Sequence, residues 1–277
     1  MTSTKKSLLI TGCSTGIGYH AARILKDRGW RVFATARRHD DVERLRGEGL
    51  ESFLLDLDQS DSIHVALDHI LSLTQGRLDA LFNNGAYGQP GAMEDLSREA
   101  LRQQFETNLF GTHELTRLVL PIMRRQGGGR IVQNSSILGF VALPYRGAYV
   151  ASKFALEGMT QAMRMEMQGT GIHFSLIEPG SINTPFRKNA RTAFLKNIPV
   201  ATSCHRENYG RWLQEGEKNL SEGLFSLPPE AVVDKVIHAL ESSRPKLRYG
   251  VTVTTHVAAI LRRVLPFRVL DYLLARG

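Results

Sequence analysis

Cysteine is scarce in this chain: two occur among 277 residues, Cys13 and Cys204, too far apart to build a disulfide framework. Metal motifs of the CxxC or HExxH kind are lacking as well, so no metal is expected. A reducing, cytoplasmic compartment is the resulting expectation. No apolar run approaches the roughly 20 residues of a membrane span. The N-terminus, Met1 to Lys6, is polar and leads into a run of only Ser7 to Ile10, which lacks the apolar core of a secretory signal. Repeats and low-complexity tracts are missing. With 22% charged residues, the composition excludes disordered, collagen-like and mucin-like chains. Aromatics make up 8% and are not interleaved with bases as in RNA-binding modules, so nucleic acid is not an expected partner.

The chain does carry a net charge of +8, from 35 Lys+Arg against 27 Asp+Glu, mostly with acids between the bases. One stretch differs: from Ser242 to Leu270 there are six bases (Arg244, Lys246, Arg248, Arg262, Arg263, Arg268) and no carboxylate. Short β-branched or leucine-rich runs alternate with longer stretches of helical period, which reads as βαβ units. Strands are predicted at Leu8–Thr11, Arg31–Ala36, Phe53–Leu55, Leu78–Phe82, Arg130–Asn134, Ile172–Ile177 and Leu247–Val251. Glycines 29, 76, 127–129, 169 and 171 supply helix stops. The expected fold is α/β, a single Rossmann-like domain with a doubly wound, seven-stranded parallel sheet and helices on both faces. Between 186 and 227 the alternation lapses into a segment mixing Phe194, Tyr209, Trp212 and Phe225 with charges, read as a substrate lid before the last strand.

Strand one ends in Thr11-Gly12-Cys13-Ser14-Thr15-Gly16-Ile17-Gly18, directly before a helix. Glycines there let the backbone approach a pyrophosphate whose charge meets free amides at the helix N-terminus. The alternative is a tight turn and nothing more. Strand two ends in Arg37-Arg38, where an acid would favour NAD and an arginine accommodates the 2′-phosphate of NADP; a solvated pair is the other reading. Tyr149 and Lys153 are four apart at the start of a helix, which puts phenol and ammonium on one face. A cation nearby is expected to lower the phenol pKa. Ser136, just past the strand Arg130–Asn134, can converge with them at the same sheet edge.

On these residues the chain resembles the short-chain dehydrogenase/reductases over nearly its whole length, and within them the 17β-hydroxysteroid and retinol dehydrogenase branch, including bacterial members that reduce aldehydes with NADPH. The family's NNAG signature stands here as Asn83-Asn84-Gly85-Ala86, its last two residues exchanged. The resemblance implies that Tyr149 gives or takes the proton on oxygen, Ser136 holds that oxygen, and Lys153 binds the ribose. It implies further that Asn108 anchors a water, Asp56 binds the adenine amine, Asn84 contacts cofactor, and Pro179, Gly180 and Thr184 hold the nicotinamide carboxamide. With Gly12, Ser14, Gly16, Ile17, Gly18, Arg37 and Arg38 they form the expected NADP(H) site. The substrate is expected to be a lipophilic carbonyl or alcohol, against Ser136, Leu138, Leu143 and Phe186, with Phe140 and Val141 also in that stretch. The other reading of those apolar residues is that they pack the insertion on the body. The different-class alternative for the whole chain is an NADPH sensor without turnover, against which the intact Ser-Tyr-Lys set argues. Family members are often dimers or tetramers through the helix carrying Tyr149.

The carboxyl-terminal segment, 254–277, has Val257, Ile260, Leu261, Val264 and Leu265 at i, i+3, i+4, i+7 and i+8, an amphipathic helix with Arg262 and Arg263 on the other side. Packing on the body or another subunit, and weak peripheral contact with anionic lipid, are the two readings. Cys13 reads as a small buried residue, and His64, His69 and His113 as ordinary helix residues.

Overall fold

The computed structural model describes residues 5–218 and 226–275. Seven strands, β1 (Ser7–Ile10), β2 (Arg31–Ala36), β3 (Glu51–Leu54), β4 (Ala80–Asn83), β5 (Gly129–Asn134), β6 (Ile172–Glu178) and β7 (Arg248–Gly250), form one sheet in the order β3-β2-β1-β4-β5-β6-β7. Every pairing is parallel. All seven predicted strands are present, with ends moved by at most two residues. Two-residue moves occur at the start of β4 and at that of β3, where Glu51 joins the ladder opposite Phe33 and its carboxylate pairs with Arg31.

Both faces are covered because alternate residues of each strand point to opposite sides and both sets are apolar. Leu8, Ile10, Val32, Ala34 and Phe82 pack on one face against α1 (Gly16–Asp27) and, across the sheet's centre, against residues 232–240. Leu9, Phe33, Phe53, Leu81 and Ile131 pack on the other. There they meet α3 (Ser60–Leu73), α5 (Gly111–Arg125) and α6 (Gly147–Glu166). On the first face α2 (His39–Gly47) adds Val42 and Leu45, and α4 (Arg98–Phe105) packs against α6. Between α4 and α5 the chain makes a π-helical turn, Glu106–Phe110. The strand order reverses between β1 and β4, and the crevice beyond their carboxyl ends is where this topology places a ligand.

Two helices, α7 (Phe186–Asn197) and α8 (Arg206–Lys218), make up the insertion; part of it, 219–225 with Phe225, lies outside the described residues. Its aromatics anchor it to the body. Phe194 and Tyr209 are buried with Ala92 and Ile198, and the Tyr209 hydroxyl donates to Asp95 while accepting from the Ala92 amide at 2.8 Å. After α9 (Glu230–Glu241) and β7, the single helix expected over 254–277 is instead two, α10 (Val253–Val264) and α11 (Phe267–Leu274). Pro266 causes the break: Leu265, before it, is extended with ψ 140°, the conformation a following proline imposes. Residues 276–277 lie outside the described set.

Candidate active site

The loop after β1 is built for close backbone approach. Gly12 and Gly16 sit at φ 70° and 59°, and a Cβ on Gly18 would lie 2.3 Å from the Gly12 carbonyl oxygen. α1 follows with no side chain capping its N-terminus, so its first amides point free toward the loop. Ser14 and Ile17 are half-buried on it, and Thr184 comes across from beyond β6 to stand against Gly16, 3.2 Å from where a Cβ would be. The exchanged Gly85-Ala86 has a physical reason. A Cβ at Gly85 would meet the tip of Leu57 at 2.9 Å, and one at Gly12 would meet the Gly85 Cα at 2.7 Å, so a glycine at 85 eases the packing where the two loops touch. Asn84 holds that contact: its Nδ2 donates to the carbonyls of Thr11 (3.0 Å) and Gly12 (3.1 Å), and its Oδ1 accepts from Asn134. Its amide therefore shapes the loop where the two segments touch.

Arg37 and Arg38 follow β2 and are both exposed at its tip. The first acids lie just beyond, in the opening turn of α2, where Asp40 reaches back to Arg38 at 3.3 Å. This pair is 68% and 87% exposed, too open to hold the arginine firmly. The sequence reading missed a third guanidinium: Arg44 donates to the Ser14 carbonyl at 2.6 Å, one helical turn into α2. Asp56, past β3, is half-buried and accepts from the Asp58 amide at 3.1 Å, which turns its carboxylate toward the chain's own loop.

Ser136, Tyr149 and Lys153 converge at the carboxyl edge of β5. Ser136 caps the short turn after the strand, accepting from the Leu138 amide at 3.1 Å. Lys153 is buried, donates to the Asn134 carbonyl at 2.7 Å and lies 5.7 Å from the Tyr149 ring centre. The expected lowering of the phenol pKa is reversed. Burial pushes Tyr149 up to about 12, with hydrogen bonding to Ser136 only drawing it back, and burial pushes Lys153 down to about 8 against the pull of Glu157. Asn108 sits in the π-helical turn, a distortion often found at functional sites. Its side chain is fully engaged: it accepts from the Tyr87 amide and donates to the Tyr87 carbonyl (2.9 Å) and to Ser152 (3.1 Å). It thus ties the β4 loop to α6, the helix of Tyr149 and Lys153. Pro179 and Gly180 follow β6, with the Pro179 carbonyl accepting from the Ile137 amide and Gly180 pressed against Thr252.

A family model described as short chain dehydrogenase matches residues 6–194, from β1 through α7. The chain belongs to the short-chain dehydrogenase family. An uncharacterized oxidoreductase, YbbO of Escherichia coli K12, is 45% identical over 98% of this chain and 94% of its own. Human 17-beta-hydroxysteroid dehydrogenase type 1 is 32% identical over 88% of this chain and 77% of its own, and the dehydrogenase falls in that branch. Two solved short chain dehydrogenases have the same fold at 22% identity. One, from Burkholderia phymatum in complex with NAD, has a TM-score of 0.78 over 93% of this chain and 92% of that one. The other, from Burkholderia cenocepacia in complex with NADP, has a TM-score of 0.75 over 98% and 97%.

The dehydrogenase carries one further arrangement that its motifs did not reveal. Glu157 on α6 and Glu178 at the end of β6 are both buried, and both pair with the guanidinium of Arg248 on β7. Burial raises both carboxyls, with Arg248 pulling each back. Glu157 stands one helical turn after Lys153 and Glu178 immediately before Pro179, so the trio braces both sides of the site. A visible signal was the Lys153–Glu157 spacing of four.

Among the expected substrate residues, Phe186 packs edge-on against Tyr149 with ring centres 5.5 Å apart, and its ring also fills the space beside Gly88. Leu138 and Leu143 are half-buried, whereas Phe140 and Val141 are buried. A small cavity under the insertion is lined by Tyr145, Arg146, Phe194, Tyr209 and Trp212 among others, and does not include Ser136 or Tyr149.

Proposed function

We propose that this dehydrogenase uses NADP(H) to interconvert a lipophilic carbonyl, of aldehyde, retinoid or steroid type, with its alcohol, in the reducing direction, through Ser136, Tyr149 and Lys153. The observation that carries this reading is the convergence of the three side chains at the edge of β5 beside the glycine cradle. When bound there, the cofactor supplies the hydride. The chain's own residues do the rest. Ser136 donates a hydrogen bond to the substrate oxygen, and Tyr149, whose phenol keeps its proton throughout the neutral range, delivers it to that oxygen. Lys153 stabilises the charge left on the phenolate and holds the ribose. Phe186, with Leu138 and Leu143, forms the apolar wall, and we assign residues 186–227 as the lid that carries it. The decisive experiment is NADPH oxidation against aldehydes, retinal and steroid ketones. Tight NADPH binding with no turnover on any carbonyl would replace this reading with that of an NADPH sensor.

Arg37 and Arg38 support the choice of NADP, and Arg44 adds positive charge on the same side. Hydrogen bonds to a charged group contribute about 1.5–3 kcal/mol each, so Arg37→Ala with Arg38→Ala should weaken NADPH binding at least tenfold and leave NADH unchanged. Fluorescence titration of both cofactors checks this, and equal losses for the two would remove the 2′-phosphate assignment.

A Lys153 pKa of about 8 has a readable consequence. As pH rises through that value the ammonium is lost, so kcat/KM for reduction should fall on the alkaline side. Glu157→Gln removes the charge that raises the Lys153 pKa and should move that limb to lower pH. An unmoved limb would show that another group titrates there.

We further assign a homodimer or homotetramer formed through α6, supported by Phe154 and Met165, exposed on that helix at 38% and 54%. Sedimentation tests it. The cytoplasm is the compartment we favour, on the grounds that Cys13 and Cys204 are both free and that no helix among the described residues is long and apolar enough to cross a membrane.

A further inference from the structure

Helix α10 turns its apolar side outward. Val253, Val257, Ile260 and Val264 recur every three or four residues and so share one face. All four are exposed, at 69%, 48%, 59% and 66%. Thr255, on the opposite side, is buried, and Arg262 on that inner side stacks over Phe154 of α6, 5.7 Å from its ring centre. The helix thus rests on the body by the side that carries Thr255, Ala258, Ala259 and Arg262. Phe267, at the start of α11, is 79% exposed and extends the apolar surface past the Pro266 break. Charge follows the same segment: beyond Glu241 the sequence holds seven Lys and Arg but a single acid, Asp271. His256 and Arg263 border the apolar stripe and, like Arg268, are exposed.

We propose that this face seats the protein on an anionic lipid bilayer, with Val253, Val257, Ile260, Val264 and Phe267 entering the headgroup boundary and Arg263 and Arg268 meeting lipid phosphates. An outward apolar stripe with basic residues along its edge is the arrangement by which a helix lies in the plane of such a surface. A second copy fits the face less well. A two-fold contact sets the patch against its own copy, so two surfaces of the same sign, each with Arg263 and Arg268 and only Asp271 to offset them, would be brought together.

The test is flotation of the full chain with vesicles of phosphatidylcholine alone or mixed with phosphatidylglycerol, at low salt and near 1 M salt, where the Debye length shrinks to about 3 Å. Binding is expected to the anionic vesicles at low salt and to be lost at high salt. Ile260→Ser with Val264→Ser, both at exposed positions, should weaken it about tenfold or more, because the buried methyl groups carry the insertion. Arg263→Ala with Arg268→Ala should weaken it about 25-fold, at roughly fivefold per base. A thermal melt of each variant against the parent separates loss of binding from loss of fold. Absence from anionic vesicles at low salt would overturn the proposal, as would flotation indifferent to both pairs of substitutions. So would a dimer that Ile260→Ser with Val264→Ser dissociates while no vesicle binds, since that outcome makes a second copy the occupant. None of these readouts depends on NADPH or on turnover.

Discussion

Tyr149→Phe is expected to lower kcat for carbonyl reduction by about 10²- to 10⁴-fold, the range a positioned acid contributes, with NADPH affinity unchanged. The substitution removes one oxygen and keeps the ring that packs against Phe186. Because burial holds the phenol up to about 12, the hydroxyl is a proton donor throughout the neutral range. Lys153 lies behind the ring, 5.7 Å from its centre, and one of its three N–H donors goes to the Asn134 carbonyl at 2.7 Å. Steady-state kinetics alongside NADPH titration decide the matter. A kcat within a few-fold of the parent would show that the proton comes from elsewhere, and a parallel loss of cofactor binding would show that Tyr149 serves the nucleotide.

Arg248→Met should cost about 3 kcal/mol in stability at neutral pH. That is the low end for removing one partner of a buried ion pair, chosen because the guanidinium is 39% exposed and partly screened. In a chain of this size it corresponds to a Tm lower by roughly 6–12 °C. The cause is not the lost arginine but the two carboxylates left behind, each only 7% exposed. Burial already raises Glu157 and Glu178 above the ordinary carboxyl value. A raised carboxyl favours the folded state below its unfolded pKa, and that contribution is lost as pH rises through the folded value. Without Arg248 both rise further, so the deficit should be large at pH 7 and should shrink toward pH 5 as the carboxyls take up protons. Thermal melts at the two pH values check this. A deficit equal at both, or greater at the lower one, would mean that the trio is not held by charge.

Much of the architecture was readable from local pattern. The alternation of short apolar runs with helical periods located all seven strands, and the glycine spacing located the loop after β1. The four-residue interval between Tyr149 and Lys153 needed only helix geometry. The break at Pro266 was also legible in principle, since the residue before a proline leaves the helical region, but the amphipathic period ran across it and dominated the reading.

The rest depended on contacts between distant positions. Nothing near Asn84 in sequence says that its amide is taken by Thr11 and Gly12, or that Gly85 must face Gly12. Glu157, Glu178 and Arg248 meet only because α6, β6 and β7 come together at one end of the sheet. The phenol pKa went the other way from the expectation for the same reason: the sequence shows the cation four residues away but not the burial that outweighs it.

By itself, then, the sequence determined the family and the strand order's ingredients and singled out Ser136, Tyr149 and Lys153 as candidates, because periodicity and motif spacing act through near neighbours along the chain. Only the tertiary structure decided which polar groups are already engaged, which carboxylates share Arg248, and which side of α10 faces solvent. Burial and pairing are set by residues that are far apart in the chain and meet only once it has folded.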